Sequence, residues 1–438
     1  MNMKRHQRPS ILAILITIIS IGLRFAGAQD YGGFIPDDRT YLPQIKTVQF
    51  LQADKPFSMP LMQLGDPNGS LVLHFDDLDG GFVRYSYTLI HCTSDWTPSG
   101  MLSTQYLDGF QEDQVVDYRT SFNTLKPYTH YKISIPSENI RPTLSGNYVL
   151  HVYRDGDRNA PVLTRRFFVL QPLMSVIPII RRPSRPDVMA IAHEIDFDVN
   201  TGDQQVYNPF DELKVVIRQN GRWDNQVGGL PPQFIRNNVI SYDHNDRNIF
   251  TAGNEFRRID LRNIRFRGQG VSKIEIGQES VQVWAEPEEG RAHLRYFSYQ
   301  DLNGNYLIQS NEARNSEHEA DYLNVTFSLL QPTALRNARV HLFGQLTDWK
   351  LDSTTELTYL PALGAYQITV PLKQGYYDYC YTWIRNGGQL ADDTWFEGSH
   401  QETECDYEIF VYHQPPVSPR YDRLVAYTRF NSMNRTGR

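Results

Sequence analysis

Residues 91–110 read HCTSDWTPSGMLSTQYLDGF and combine polar and aromatic side chains with no regular spacing of apolar positions. The preceding residues, 82–90, alternate apolar and polar side chains, which is the pattern of a half-buried β-strand. The alternation then stops, and Pro98 and Gly100 disfavour a regular helix or a central strand. The stretch is therefore predicted to be a long, ordered loop after a strand, fixed by packing of the Trp96 ring.

Two interpretations of this loop follow from its composition. Aromatic side chains in such loops commonly pack inward, so the loop can be a plug of side chains that closes one end of a β-sandwich. Long ordered loops on a rigid β scaffold are also where binding residues tend to lie. The sequence alone leaves both interpretations open.

The composition indicates a soluble globular protein rich in β structure. The chain has 438 residues, enough for two to four domains, and 12% of them are aromatic. Its mean hydropathy is −0.48. The net charge of −7 argues against a nucleic-acid partner, because such a partner requires a basic face.

The first residues have the organisation of a secretory signal peptide, assigned to 1–28. Basic residues stand at the start, an apolar run of thirteen residues follows at 11–23, and small residues occupy 26–28. Cleavage is predicted after Ala28, and an uncleaved anchor is the alternative. The absence of a cysteine at the cleavage site disfavours a lipoprotein anchor. The sequence therefore predicts an exported protein with no membrane span after signal cleavage.

Short strand-like segments separated by turn clusters predict a mostly β fold with two or three immunoglobulin-like or other β-sandwich domains in tandem. The N-terminal sandwich is assigned to 29–172, with predicted strands at 45–51, 71–77, 82–91, 130–135, 147–153 and 162–170. The remaining segments are a middle β-rich domain at 173–321, a C-terminal immunoglobulin-like domain at 322–413 and a tail at 414–438. The C-terminal domain is predicted to end with a strand at 407–412, and the tail to add an ordered segment at 424–430.

The sequence contains no recognisable catalytic motif, and the protein is predicted not to be an enzyme. It lacks a Gly-x-Ser-x-Gly elbow, a His-Glu-x-x-His pair and a glycine-rich phosphate loop. His91 and Cys92 are adjacent, but neighbours on a strand point to opposite faces and are not expected to act together. The three cysteines leave at least one thiol unpaired. A disulfide between Cys380 and Cys405 and three buried thiols are both possible.

The best metal candidate begins at Asp301, because Asn303 and Asn305 continue a series of alternating oxygen-bearing side chains. Glu312 stands at the twelfth position of this series. The sixth position is Tyr306, where a calcium loop of this kind needs glycine for its sharp turn. A polar hairpin turn is therefore predicted, with no metal and no cofactor.

Several segments of the chain resemble one known family. Residues 91–99, HCTSDWTPS, followed by 106–110, YLDGF, are similar to the signature of the plug proteins of the type IX secretion system, a family of Bacteroidota-type envelopes. Further similar segments follow in order along most of the mature chain, at 121–124, 128–131, 145–148 and 397–404.

The resemblance implies a non-enzymatic plug located in the periplasm and peripheral to the outer membrane. Such a plug seals the periplasmic opening of a giant outer-membrane β-barrel translocon when no cargo is engaged. The barrel is the implied partner. No contact residue carries over from the family, and Trp96, Tyr106 and Phe110 are the partner-binding candidates, because aromatic side chains dominate interface energies.

A second resemblance supports an alternative function as a glycan-binding periplasmic or surface protein. Residues 340–350 are similar to early-set glycogen-binding modules, which display two tryptophans for stacking sugars. Trp349 matches the first, 388–393 lack the second, and Trp395 is only a candidate to take its place. This resemblance bears more on the fold than on sugar binding. A hydrolase with scattered catalytic residues is a further rival without positive support.

Overall fold

Strands form most of the molecule. The computed structural model describes residues 33–244, 246–388, 391–416 and 420–433, so the predicted signal peptide lies outside the described residues. Among the described residues, strands account for 46% and helix for 5%, in several sheets, which confirms the predicted mostly β class with tandem sandwiches. Within these residues, no helix has the length and hydropathy that crossing a bilayer requires.

The first twelve strands include all six strands predicted for the N-terminal region. They are β1 (Arg39–Thr40), β2 (Ile45–Gln52), β3 (Leu61–Gln63), β4 (Leu71–Asp77), β5 (Tyr85–Cys92), β6 (Leu107–Gly109), β7 (Asp113–Gln114), β8 (Asp117–Thr120), β9 (Thr129–Ile135), β10 (Ile140–Pro142), β11 (Gly146–Arg154) and β12 (Pro161–Leu170). The short helix α1 (Ser103–Tyr106) lies between β5 and β6.

The next twelve strands come from the region predicted as the middle domain. They are β13 (Ser175–Arg181), β14 (Ala192–Asn200), β15 (Leu213–Gln219), β16 (Val227–Gly228), β17 (Phe234–Arg236), β18 (Val239–Tyr242), β19 (Ile249–Thr251), β20 (Arg257–Asp260), β21 (Val271–Ile276), β22 (Val281–Ala285), β23 (Glu288–Glu289) and β24 (Tyr306–Ile308). Two short helices accompany them, α2 (Pro209–Glu212) and α3 (Ser316–Glu319).

The C-terminal region adds seven strands. They are β25 (Tyr322–Leu330), β26 (Ala338–Phe343), β27 (Glu356–Leu360), β28 (Ala365–Lys373), β29 (Gly375–Arg385), β30 (Asp406–His413) and β31 (Arg423–Asn431). A 3-10 turn (Gln345–Thr347) follows β26, and helix α4 (Thr394–Glu397) precedes β30.

Four of the sheets face one another in pairs. The outer N-terminal sheet has the order β2-β4-β9-β8, and the inner N-terminal sheet the order β1-β12-β11-β5-β7, with β3 parallel to β12. The distal sheet has the order β13-β14-β18-β17, with β19 on β14, and the junction sheet the order β16-β15-β30-β31. Strands β6 and β10 form a separate two-stranded ribbon.

The inner N-terminal sheet and the junction sheet are buried on both faces. In β11, Tyr148 and Leu150 pack in the core shared with the outer sheet, whereas Val149 packs in the core shared with the junction sheet. In β30, Phe410 belongs to that second core and Ile409 to the core under the distal sheet. The four sheets are therefore stacked in the order outer, inner, junction and distal.

The remaining strands form one large sheet of ten strands. Its order is β20-β29-β26-β27-β28-β25-β22-β21, with β23 on β25 and β24 on β29. Phe327 of β25 and Tyr379 of β29 are not on neighbouring strands, yet their ring centroids lie 4.8 Å apart. The large sheet therefore folds over on itself around its own core.

Two sheets combine segments that the sequence assigned to different domains. The strand predicted at 407–412 is present as β30, but it pairs with β15 of the middle region, with Ile217 opposite Ile409. Conversely, β20, β21 and β22 lie in the large sheet with the C-terminal strands. The ordered segment predicted at 424–430 is confirmed as β31. The domain boundaries themselves remain a proposal.

A buried ionic cluster joins the outer N-terminal sheet to the large sheet. Asp76 of β4 is fully buried and accepts hydrogen bonds from Lys373 Nζ and Tyr322 Oη, each at 2.7 Å. Its other carboxylate oxygen lies 2.6 Å from His130 Nδ1. Burial raises the pKa of Asp76, but Lys373 and His130 outweigh burial and hold this pKa below its ordinary value.

Removal of the positive charge of Lys373 should therefore destabilise the fold. We expect Lys373→Met to lower the free energy of unfolding by about 3–5 kcal/mol, because it leaves a buried carboxylate unpaired. Urea unfolding at pH 7 measures this loss. The double variant Asp76→Asn with Lys373→Met should recover part of it, and a double variant as unstable as the single one would contradict the explanation.

The Asp76 carboxylate also makes the stability of the fold depend on pH. The pKa of Asp76 is lower in the folded chain than in the unfolded chain. The contribution of Asp76 to the free energy of unfolding is therefore complete above the unfolded pKa, near 4, and is lost as the pH falls through the folded pKa. Urea unfolding between pH 3 and pH 7 should show a smaller acid-induced loss of stability in Asp76→Asn than in the unmodified chain. An equal loss would remove Asp76 from the explanation.

Candidate functional site

The loop singled out in the sequence is ordered and turns Trp96 inward. Trp96 donates its backbone N–H to Thr93 O at 3.0 Å, and Thr93 donates to Thr97 O at 2.8 Å, which closes a tight turn. Trp96 takes a positive φ of 67° in this turn. The side chain is thereby directed from the end of β5 towards the junction sheet.

Trp96 is the centre of an aromatic and cationic stack, and it is only 5% exposed. Its ring packs edge-on against Phe168 and Trp223, each at 5.2 Å between centroids. The Arg166 guanidinium lies 4.7 Å from the Trp96 ring and 4.6 Å from the Trp223 ring. Trp223 donates its indole N–H to Asp38 at 2.7 Å. The stack joins the inner N-terminal sheet, the arm before β1 and the loop after β15.

The three predicted contact residues have different environments. Tyr106 is 1% exposed, packs near Tyr148 and donates its hydroxyl to Leu89 O at 3.3 Å. Trp96 is covered as described above, whereas Phe110 is 64% exposed. A partner can therefore reach only Phe110 of the three without rearrangement of the core. Their role in partner binding remains a prediction.

The surface around Phe110 is the margin of the N-terminal sandwich. β7 is the last strand of the inner N-terminal sheet and β8 is the last strand of the outer one, so 113–120 cross from one sheet to the other. Val115 is buried between the sheets at this crossing. The backbone beyond β8 is held by the bond from Phe122 N to His318 O, at 2.9 Å.

Large apolar side chains are exposed along this margin. We call them the edge surface: Phe82, Phe110, Val116, Tyr118 and Phe122. The rings of Phe82 and Tyr118 lie 4.9 Å apart. All four residues of β8 are exposed, and no further strand among the described residues pairs with its outer edge. An apolar margin with a free strand edge is a typical site for a protein partner.

Sequence reasoning found only Phe110 of the edge surface. Phe122 lies in the family-like segment 121–124, so the resemblance contained a signal for it. Phe82 and Tyr118 are distant in sequence, and their rings come into contact only because the two N-terminal sheets pack together. Trp223 and Arg166 were missed for the same reason, because their contacts with Trp96 join three separate segments.

A cavity of about 150 Å³ lies where both N-terminal sheets, the junction sheet and the large sheet meet. Three ion pairs line it: Arg165 with Asp348 at 2.9 Å, Arg218 with Glu408 at 2.7 Å, and Arg429 with Asp406 at 2.6 Å. Arg165 with Asp348 connects the inner N-terminal sheet to the segment after β26 of the large sheet, whereas each of the other two pairs lies within the junction sheet.

The first tryptophan proposed as a sugar platform is buried. Trp349 is 7% exposed and packs against Phe343 and Phe256 at 5.1 and 5.8 Å. A sugar ring cannot stack on it in this structure. Trp395 is exposed and lies 5.9 Å from Trp383, so it is the accessible ring of this region.

The cysteines do not form a reactive site. Cys92, Cys380 and Cys405 are all buried and free, which matches the interpretation as buried thiols. Burial raises the pKa of Cys92 to about 12 and lowers that of His91 to about 4, so both side chains are neutral at pH 7. His91 packs near Tyr148 and Cys92 in the core against the junction sheet, on opposite faces as predicted.

Comparisons with known proteins agree with the first resemblance. The family model described as the type 9 secretion system plug protein 1st domain matches residues 45–171. The crystal structure of a hypothetical protein from Parabacteroides merdae ATCC 43184 is similar to this fold, with a TM-score of 0.87. The two sequences are 30% identical, and the match covers 90% of this chain and 99% of that one. No curated protein matches the chain.

A second solved structure carries no argument about the fold. It holds manganese lipoxygenase of Gaeumannomyces graminis with part of zonadhesin of Komagataella pastoris, at 8% identity and a TM-score of 0.15, over 89% of this chain and 97% of that one.

Because Trp96 is buried and Phe110 is exposed, their substitution should affect the stability of the fold to very different extents. Trp96→Ala should lower the free energy of unfolding by about 3–5 kcal/mol, because it leaves a cavity in the stack. Phe110→Ala should change it by less than about 0.5 kcal/mol, because the ring is on the surface. Urea unfolding measures both values. Similar losses in the two variants would contradict the assigned environments.

Proposed function

Since the chain belongs to the type IX secretion system plug protein family, we propose that it is the gating subunit of that system's translocon. In this role it seals the periplasmic opening of the giant outer-membrane barrel when no cargo is engaged. It acts by occupying the opening and performs no chemical reaction.

The position of the edge surface within the family match carries the proposal. All five edge-surface side chains lie within 45–171, the residues that the plug family model matches. The surface combines aromatic side chains with charged neighbours, for example Asp117 and Arg119 of β8. Interfaces that must both form and release have this composition of apolar anchors with a polar rim.

The stacked sheets supply the second property that a plug requires, which is resistance to deformation. A seal must keep its width against the barrel, and the inner N-terminal sheet is supported on both faces by other sheets. The ion pair between Arg165 and Asp348, beside the central cavity, joins this sheet to the segment after β26 of the large sheet. Tyr118 of the edge surface lies in β8 of this sandwich, and the other four side chains lie in the segments that connect its strands.

The location follows from the role. We propose that the protein is exported by the signal peptide predicted at 1–28 and works in the periplasm, peripheral to the outer membrane. Its partner is the translocon barrel. Family membership supports association with the secretion machinery, and the identity of the barrel as the direct contact is the part to be tested.

A native pull-down tests the proposal directly. The chain is tagged at its C-terminus, the envelope is extracted in mild detergent, and the mass of co-purifying proteins is determined. We expect one very large barrel protein in a complex that lacks cargo. Recovery of the tagged chain without a barrel would contradict the proposal.

The edge surface is tested by a matched pair of triple variants. Phe82→Ala, Phe110→Ala and Phe122→Ala together should weaken barrel capture at least about tenfold, because exposed aromatic anchors commonly contribute more than 1 kcal/mol each. The control replaces three exposed phenylalanines outside the family match, Phe234, Phe266 and Phe297, by alanine. Capture should persist in the control. Equal capture by both variants would place the contact elsewhere.

The alternative function, glycan binding, has a separate readout. The observation that favours it is the exposed Trp395 beside Trp383. Retention of the chain on a polysaccharide column, with loss of retention in Trp395→Ala, would favour this alternative. Absence of retention leaves the translocon as the partner to pursue.

A further inference from the structure

Three carboxylates come together at one end of the distal sheet. Glu194 and Asp196 alternate with the core residue Ile195 along β14, so both project from the far face of the sheet, which is turned away from its core. Asp243 directly follows β18, the strand that pairs with β14. One carboxylate oxygen from each of the three acidic residues lies within 4.8 Å of the other two.

Two of these carboxylates are buried without enough positive charge around them. Glu194 is 4% exposed and Asp196 2%, whereas the Asp243 side chain is 40% exposed. The Glu194 carboxylate has no lysine or arginine nitrogen within 4 Å among the described residues. Burial, and after it the charge of Asp243, raises the pKa of Asp196 to about 6. Carboxylates buried to this extent are almost always paired or bound to a metal.

An arginine lies beside the cluster but does not balance its charge. The Arg181 guanidinium is 3.2 Å from Asp196 Oδ2 and 3.8 Å from Asp243 Oδ2. Its side chain is 50% exposed, and its contact with Asp196 Oδ2 lacks the geometry of a hydrogen bond. Three carboxylates and one guanidinium leave two negative charges, which a divalent cation would balance. A half-exposed guanidinium can turn into solvent when such a cation binds.

A buried amide next to Asp196 has an oxygen atom without a partner. Asn248 is fully buried, and its amide nitrogen donates to Asp196 Oδ1 and to Ile195 O, each at 2.8 Å. Asn248 Oδ1 and Asp196 Oδ2 are both buried and accept no hydrogen bond from any described residue. An unpartnered buried oxygen is costly unless a donor or a cation reaches it. The Asn248 side chain is therefore directed at Asp196 and offers the cluster an unused oxygen atom.

We propose that Glu194, Asp196 and Asp243 bind a calcium ion on the far face of the distal sheet. Calcium binds oxygen atoms at about 2.3–2.6 Å, so two oxygen atoms on the same ion are at most about 5 Å apart. The three carboxylates satisfy this limit. All the donors are oxygen atoms, which calcium prefers and which do not suit zinc or copper.

The surroundings of the cluster suit an ion that comes from solvent. A groove of about 450 Å³, lined in part by Asp196 and Asp243, opens on the same face, so water can complete the shell of ligands. The ion takes the place of the Arg181 guanidinium between these two carboxylates. It thereby joins β14 to the segment that follows β18.

The turn that the sequence offered as the best metal candidate does not have this geometry. It is the predicted polar turn, in which Asn305 N donates to Leu302 O at 3.1 Å. Asp301 and Glu312 belong to no group of three acidic, histidine or cysteine side chains with this spacing among the described residues. Glu312 lies 3.5 Å from Arg265 instead. Glu312 therefore supplies a control for the proposed site.

Calcium titration of the purified full chain tests the proposal. Isothermal titration with Ca²⁺ up to about 10 mM covers the affinities of extracellular calcium modules, whose Kd values are about 10⁻⁴ to 10⁻³ M. We expect saturable binding of one ion, with Mg²⁺ bound at least about tenfold more weakly, because Mg²⁺ demands a regular octahedron of ligands. Absence of saturable Ca²⁺ binding would overturn the proposal.

Variants of the carboxylates locate the ion. Asp196→Asn and Glu194→Gln keep the size of each side chain but remove a negative charge, so each should weaken Ca²⁺ binding at least about tenfold. Glu312→Gln, at the twelfth position of the sequence motif, should leave the affinity unchanged. Full binding by Asp196→Asn, or loss of binding in Glu312→Gln, would overturn the assignment. Near-ultraviolet circular dichroism confirms the fold of each variant.

Arg181→Gln distinguishes a calcium site from a cluster that the arginine alone neutralises. If the ion and the guanidinium compete for the same carboxylates, loss of the guanidinium should strengthen Ca²⁺ binding at least about threefold. The Arg181 side chain is half-exposed, so this variant should keep its fold. Affinity that is unchanged or weaker in Arg181→Gln would contradict the proposed position of the ion.

Discussion

Burial of both faces of the inner N-terminal sheet is the constraint on which the rest of the structure depends. A sheet with apolar side chains on both faces needs a cover on each side. The outer N-terminal sheet supplies one cover and the junction sheet the other, and the junction sheet in turn needs the distal sheet. The family-matched segment 45–171 therefore packs against strands that lie far beyond it in the chain.

Charged side chains set the alignment of these layers. Arg165 with Asp348 joins the inner N-terminal sheet to the segment after β26 of the large sheet, and Asp76 with Lys373 joins the outer N-terminal sheet to the large sheet. Buried pairs of this kind contribute little net stability over apolar contacts, but a pair that is broken is costly. They therefore select one arrangement of the sheets, and Arg166 between two indole rings acts in the same way through its aromatic contacts.

Local patterns predicted the strands well because alternation of side chains is a local property. Every strand predicted in the N-terminal region is present, and so is β31 in the tail. The pairing of β15 with β30 was not predictable in this way, because it joins residues about 190 positions apart and no local signal encodes such a partner. The environment of Trp96 was ambiguous for a similar reason. Its neighbours Phe168 and Trp223 come from separate segments, and the ring is covered only because the fold packs both of them against it.

The late position of β30 and β31 has a consequence for the order in which the chain acquires its structure. A polypeptide that emerges with its N-terminus first has the strands of the inner N-terminal sheet long before it has the strands that cover that sheet's second face. Contacts between such distant segments form slowly, because a long loop must close first. The growing chain thus exposes an apolar sheet until β30 and β31 have been synthesised. Folding of the inner N-terminal sheet thus depends on β30 and β31, since a chain without them keeps one apolar face of that sheet exposed and prone to aggregation.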